Sequence, residues 1–555
     1  MNVFALTIFA GAFLLFQVQP LIAKYILPWF GGGPGVWTTC MLFFQISLLA
    51  GYAYAHALTR YISQRRQPIV HLVLLAVALF FLPITPSTRW RPESFDNPTW
   101  RILLLLIISL SVPYMTLAAT GPLLQAWFSK LYPGKSPYRL YALSNVGSLL
   151  ALLSYPVVVE PLITRHTQAN VWSWSFAVFA VLCAACTWRA LKRLPRQEQT
   201  EPETSRATAP VGIVKLLWFL LPACGSVLLL AMTNKLCQDI ASVPFLWILP
   251  LSLYLLTFVI CFDRPQWYMR KAILLALFPV LAAFCYTIYR GNLQSLWLQM
   301  IVFSATLFVC CMICHGEVYR LRPTPAHLTG FYLMIAVGGA AGGVFVAVVA
   351  PLIFHSYAEL NWGIWGLCAL VLLMLYRERK NEPAVGWTVP IMPMLSAALV
   401  LLGSALIYLS WNDTTEVVQM SRNFYGVLRV REIFADSPLH AFKLMNGSIN
   451  HGVQLVAPVM RNLPVSYYGE DSGVGVVMRN FPRQQNRRIG VVGLGIGTLA
   501  AYAKAGDSIT FYEINPQVEE LARTKFSYLK DCKANVEIVT GDGRLSLERQ
   551  RSQRF

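Results

Sequence analysis

Residues 193–212 read RLPRQEQTEPETSRATAPVG, and this stretch divides the chain. Glu, Thr and Pro dominate it, no apolar period runs through it, and it reads as a polar linker. The sequence on either side is of another kind. A helix needs about 20 apolar residues to cross a bilayer. Six such stretches precede the linker, near 3–28, 36–58, 68–87, 102–128, 138–163 and 170–190. Seven follow it, near 213–233, 243–262, 272–289, 295–314, 329–354, 361–376 and 389–410. We therefore expect a polytopic α-helical membrane protein of about 13 spans, with 1–192 as one half and 213–410 as a second half plus one extra span. The apolar N-terminus lacks a small-residue cleavage pattern and is read as a retained first span.

Composition agrees. Of 555 residues, 56% are hydrophobic and 13% charged, against roughly 25% charged in soluble proteins. A disordered chain, a coiled coil and a wholly soluble enzyme are excluded. The net charge is +19; residues 1–410 hold 27 Lys/Arg against 12 Asp/Glu, and residues 411–555 hold 18 against 14. The basic excess thus lies in short loops between apolar stretches, which suits anionic headgroups and not nucleic acid. Eleven of the 12 cysteines precede residue 370, mostly in apolar segments, so they form no disulfide framework. Cys311-Met-Ile-Cys314-His315 matches a haem-attachment pattern, but it closes an apolar span and is read as helix core; no metal site is expected.

The two halves share ordered matches. Gly11-Ala-Phe-Leu-Leu pairs with Gly225-Ser-Val-Leu-Leu, and Pro34-Gly-Val-Trp37 with Pro244-Phe-Leu-Trp247. Tyr141 through Val146-Gly147 and Pro161-Leu-Ile pair with Tyr332 through Val337-Gly338 and Pro351-Leu-Ile. This reads as a six-span repeat in parallel orientation. Loops after even-numbered spans carry most of the loop Lys and Arg, which places the N-terminus and those loops in the cytoplasm. Thirteen spans then put the tail outside, whereas a domain using a cytosolic nucleotide belongs inside; the sequence leaves the side of the tail open.

After Trp411 the sequence becomes polar, with strand-like alternation, and 411–485 reads as a small β domain. Residues 486–555 read strand, glycine turn, helix, strand, helix, strand. A buried strand enters Gly493-x-Gly495-x-Gly497, and Glu513 ends the next strand. Glycines allow the backbone a sharp turn and a close approach to a ligand. A carboxylate at the end of the second strand is placed to accept ribose hydroxyls. A third strand ends in Gly541-Asp542-Gly543, with Asp542 set to meet an adenine or an amine. The pattern points to a Rossmann-like α/β half that binds an adenosyl group, with Gly493, Gly495, Gly497, Glu513, Asp542 and Gly543 as its cofactor residues.

The tail from about 418 resembles the spermidine synthase family. The resemblance rests on Leu444-Met-Asn446-Gly447-Ser-Ile-Asn450-His451-Gly-Val-Gln454, on Ser466-Tyr467-Tyr468-Gly469-Glu470-Asp471, and on the nucleotide motifs. The whole chain is similar to bacterial fusions of a transporter-like, major-facilitator-like membrane region with such a domain. The resemblance implies a transferase of polyamine biosynthesis in the bacterial inner membrane. It would move an aminopropyl group from decarboxylated S-adenosylmethionine, or use S-adenosylmethionine itself. It implies a polyamine as partner, met by Tyr467, Tyr468, Glu470 and Asp471. Asn446 stands where the family has Asp, and Gly469 where it has His. The family's fourth strand and its catalytic Asp would follow Phe555. The Rossmann-like half is therefore expected to be truncated, with no catalytic residue assigned and turnover impaired.

Polar side chains also enter the spans. Gln17, Gln19 and Lys24 lie along the first, and Thr233, Asn234, Lys235, Gln238 and Asp239 at the end of the seventh. Either they form a polar site between the halves, or the lysines snorkel to headgroups. The alternative function is accordingly that of a solute transporter whose tail is regulatory or vestigial.

Overall fold

The computed structural model describes residues 2–87, 98–132, 135, 137–193, 212–239, 244–291, 294–324, 327–381, 391–412, 414–481, 486–553 and 555. The first half holds α1 (Asn2–Phe30), α2 (Pro34–Tyr61), α3 (Arg66–Leu79), α4 (Pro98–Leu131), α5 (Tyr138–Ser154), α6 (Glu160–Leu162) and α7 (Arg165–Arg193). The second holds α8 (Gly212–Asp239), α9 (Pro244–Asp263), α10 (Arg270–Arg290), α11 (Leu296–Arg320), α12 (Leu328–Val344), α13 (Ala350–Ile353) and α14 (Ala358–Asn381), with α15 (Ile391–Asn412) after it. Among the described residues twelve helices are long and apolar enough to cross a membrane, so this is a multi-pass membrane protein. Most of the linker at 193–212 lies outside the described residues.

The expected count of thirteen is corrected at 68–87. There the helix is α3, with 14 residues, ~21 Å long against a hydrocarbon core of ~30 Å. Pro83 and Pro86 break the rest of that apolar run, since proline lacks a donor and keeps its predecessor out of the helical region. The chain nevertheless reverses there. Phe44 packs on Tyr114 at 5.1 Å, and Gly51 faces Ala118, so α2 and α4 run parallel. Gln67 meets Trp127 and His71 meets Thr120, so α3 runs back antiparallel to α4. By contrast α4 is one unbroken helix despite Pro113 and Pro122. Within a helix bundle such prolines are tolerated because neighbouring groups satisfy the freed backbone.

Matched positions of the two halves meet each other. Trp37 stacks on Trp247 at 5.2 Å and 15°, and Tyr141 stacks on Tyr332 at 4.9 Å and 12°. Both halves also carry a π-helical turn, Tyr155–Val159 and Phe345–Val349, just ahead of Pro161 and Pro351. Gly147 lies against the backbone at Phe9 and Phe13, and Gly338 lies against Phe219 and Ala223 in the same way. These contacts correct the alignment of the first helix by one turn: Gly11 stands opposite Leu221, not Gly225. Leu and Gly recur at helical spacing in both helices, so either register satisfies an apolar pattern.

The tail begins with an antiparallel sheet of β1 (Val417–Asn423), β2 (Gly426–Ile433), β3 (Ala441–Asn446) and β4 (Ile449–Leu455), in that order. After α16 (Gly473–Asn480) come β5 (Arg488–Val492), β6 (Ser508–Glu513), α17 (Pro516–Lys525), α18 (Tyr528–Asp531), β7 (Asn535–Thr540) and α19 (Gly543–Arg549). The second sheet is parallel, ordered β5-β6-β7. One apolar core joins the two sheets: Leu428, Val430 and Leu444 pack with Ile496, Phe511 and Leu521.

The tail rests on the ends of α1, α2, α8 and α14, opposite the loops that carry Arg60, Arg65, Arg66, Lys130, Arg320 and Arg322. Arg544 donates to the Pro28 carbonyl at 3.1 Å, and Gln238 donates to the Val427 carbonyl at 3.0 Å. Arg422 of β1 grips Glu359 of α14 with both Nη atoms, at 3.0 and 2.8 Å, and the pair is 5% and 0% exposed. One rigid domain is thus tied to both halves of the bundle on this face.

Candidate functional site

The glycine turn of the tail has the backbone its sequence demands. Gly493, Gly495 and Gly497 take φ of +93°, +56° and +80°, a region that side chains resist. The Glu513 carboxylate lies beside this turn. Its Oε2 accepts from Leu494 N and its Oε1 from Asn515 N, both at 2.9 Å. Burial pushes the carboxyl above its ordinary value, and these backbone donors pull against that shift. Glu513 therefore braces the turn to β6. Asp542 caps α19, accepting from Leu545 N at 2.9 Å, and Gly543 packs against Val492. Tyr425, from the β1–β2 hairpin, faces both Asp542 and Glu513; burial and those two charges push its hydroxyl up to about 12. The α1–α2 turn reaches the same place, with Gly31 against Ile514 and Tyr425. The carboxyl ends of the parallel strands thus abut the membrane bundle.

The expected amine-binding residues are less gathered. Tyr467 donates to the Asn450 carbonyl at 2.9 Å and packs on Tyr468, whose ring hydroxyl stands near Gly495. Glu470 is exposed and pairs with Arg479 at 2.9 Å, and Asp471 is exposed beside it. Asn446 accepts from Gln238 of α8 at 3.4 Å, a docking contact.

Asp507 lies at the opposite end of the parallel sheet. It accepts from Arg487 Nη2 at 2.6 Å and from Lys504 N at 2.9 Å, and Arg487 holds its carboxyl below the ordinary value. A depressed carboxyl contributes stability in full above the ordinary carboxylate range, and this is lost as pH falls through the depressed value. Asp507→Asn should therefore speed hydrogen exchange in β5 and β6 at neutral pH. It should also flatten the acid dependence of that exchange below about pH 4.

A second site lies inside the membrane, where α1, α2, α4 and α5 face α8, α9 and α12 across a cavity of about 150 Å³. Gln19, Gln45, Gln125 and Asn145 line it with Tyr52, Tyr114, Tyr141, Tyr254 and Ser144, and none of its described lining residues is charged. Gln19 donates to the Tyr114 hydroxyl at 3.1 Å, and Gln45 donates to Ser226 of the other half at 2.9 Å. Tyr332 donates to Gln125 at 2.8 Å, again between halves. The side-chain oxygens of Gln19 and Gln45 are buried and find no donor among the described residues. The Gln45 amide reaches past the cavity to Ser226 and Gly343, so its oxygen lies against α12. On the tail face the halves also meet through Thr38, which donates to Asn234 at 2.7 Å.

Of the polar residues singled out in the spans, Gln19 lines this cavity. Gln17 is buried elsewhere in α1, and Lys24 pairs with Glu160 at the rim. Gln238 docks the tail, and the side chain of Asp239 lies outside the described residues. Gln45, Gln125 and Asn145 escaped the sequence reading. The signal was there: each is an amide within an apolar span, where polar groups face an interior. Cys311, Cys314 and His315 are buried in α11, and no metal-holding group occurs among the described residues.

No family model matches the chain, and no curated protein does. Solved structures similar to it are membrane transporters. The xylose transporter XylE from E. coli is 12% identical with a TM-score of 0.44, over 67% of this chain and 94% of that one. A point mutant of the nucleoside transporter NupG is 12% identical with a TM-score of 0.40, over 73% of this chain and 99% of that one. The human organic anion transporter MFSD10 is 14% identical with a TM-score of 0.39, over 73% and 99%. Likenesses this distant pass no substrate to this chain, whose own residues must indicate one.

Proposed function

We propose that this protein is a membrane carrier for a small uncharged solute rich in hydrogen-bond donors. The cavity carries the reading: it lies where the two halves meet, and the polar groups of its described lining are amides, phenols and hydroxyls without a charge. A charged solute would enter such a site unpaired, at a cost of several kcal/mol. Among the described residues the lining itself holds no carboxylate or histidine; His71, bonded to the lining Thr120, and His315, packed on the lining Tyr254, stand one side chain behind it. Carriage then requires the halves to part alternately on each face. The loops opposite the tail hold the basic excess, so the positive-inside rule supports placing the tail outside the cytoplasm. There it holds both halves together. Purified full-length protein in liposomes, offered radiolabelled neutral solutes the size of a monosaccharide or nucleoside, tests the reading by counterflow.

A second reading concerns the tail. The placement of the Glu513 carboxylate against Leu494 N favours a Rossmann-like turn that takes an adenosyl ligand. Calorimetry of the full chain with S-adenosylmethionine and its decarboxylated form should show binding that Glu513→Ala removes; no heat with either ligand contradicts it. Aminopropyl transfer is not carried forward. Glu470 is held by Arg479, and Asn446 serves docking.

A further inference from the structure

We infer that the wedge between α10, α14 and α15 seats one acyl chain of an anionic glycerophospholipid from the leaflet on the basic-loop side. Helix α15 is fastened to α14 at one end only. Gly403 lies against the Trp365 ring, Asn361 donates to Ser410 at 2.9 Å, and Leu406 is 3% exposed. Toward its N-terminus it diverges from the bundle. Leu395, Ala398, Leu399 and Leu402 form a stripe at helical spacing, and this stripe faces a cavity of about 270 Å³ instead of a neighbouring helix. Every lining side chain is apolar.

The depth of the wedge fits one leaflet. Along α10 it extends from Leu274 to Cys285, a rise of ~16 Å, about half of a ~30 Å hydrocarbon core. One end of it is bounded by the first turns of α10 and α15 and the last turns of α14. Arg270 there is engaged by Glu317 at 2.6 Å and Glu378 at 2.8 Å. Lys271 and Arg379 have no acidic partner among the described residues, and they stand within four residues of the first lining positions, on the lining face of their helices and at headgroup depth. Hydrocarbon walls with two cations at the rim are complementary to an acyl chain bearing an anionic headgroup. The cavity is separate from the solute site, so this proposal stands whether or not the carrier reading does.

Native mass spectrometry of the full chain in detergent, with added phosphatidylglycerol or phosphatidylcholine of the same chains, tests it. We expect one tightly retained phosphatidylglycerol and at least tenfold weaker retention of phosphatidylcholine. Ala398→Trp fills the wedge from α15 and should cut retention of phosphatidylglycerol at least tenfold, with unchanged helical circular dichroism. Leu281→Trp fills it from the opposite wall and serves if the first variant fails to fold. The double variant Lys271→Gln, Arg379→Gln should still bind lipid but lose the preference between headgroups. Equal retention of both lipids by the native chain, or full retention by a correctly folded tryptophan variant, overturns the proposal. So does a change in oligomeric mass with no loss of lipid.

Discussion

Arg422→Ala should release the tail from the second half of the bundle. The Arg422–Glu359 pair is buried and bidentate, and Arg422 also lies over the Tyr357 ring at 4.6 Å. Removing one partner leaves Glu359, at 0% exposure, as an unpaired buried charge. Such losses cost about 3–5 kcal/mol. The expected result is rapid hydrogen exchange in β1 and β2 with little change in α4 or α12. Arg422→Ala combined with Glu359→Gln should be milder than Arg422→Ala alone, because the orphaned charge is gone. The consequence for transport follows from what the tail holds. It touches α1 and its turn on one side, and α8 and α14 on the other. Opening toward the tail face must part those helices. Freeing the tail should therefore expose Trp37 and Trp247 more often, read as faster quenching of tryptophan fluorescence from that face. Unchanged exchange in β1 would show that the ion pair does not hold the domain.

Gln45→Leu should abolish most solute binding while leaving the bundle folded. Gln45 lines the cavity and makes one bond within the protein, to Ser226. Losing a buried acceptor that a bound donor uses costs about 1–3 kcal/mol, or roughly 5- to 150-fold in affinity. Gln19→Leu should behave alike and also loosen Tyr114. Leu229→Ile, at an apolar lining position, should change affinity far less, since it alters shape without removing a polar partner. Solute affinity measured by counterflow distinguishes these cases.

Much of this architecture was legible in the residues. Twelve of the thirteen apolar stretches read from hydropathy are membrane-length helices, and the glycine turn with Glu513 beside it follows from strand spacing. Gln19 stood out because an amide in an apolar helix is rare. Other features were hidden for physical reasons. At 68–87 composition is apolar throughout, so only the prolines signal that the helix stops early. Leu-rich helices match themselves at every turn, which is how Gly11 came to be aligned with Gly225. The Arg422–Glu359 pair joins residues 63 apart in sequence, one in a β hairpin and one at a helix start, and no local pattern connects them. The cavity depends on side chains from seven helices meeting, which a linear reading does not display.

The central claim is that the chamber between the halves carries an uncharged solute without moving charge. Paired tracer uptake and solid-supported-membrane current recordings on the same proteoliposomes test it most directly. The account predicts saturable uptake of a neutral, hydroxyl-rich solute with no accompanying current and no change between pH 6 and pH 8, since the described lining holds no carboxylate or histidine. Uptake confined to charged solutes, or a solute-driven proton current, would contradict it.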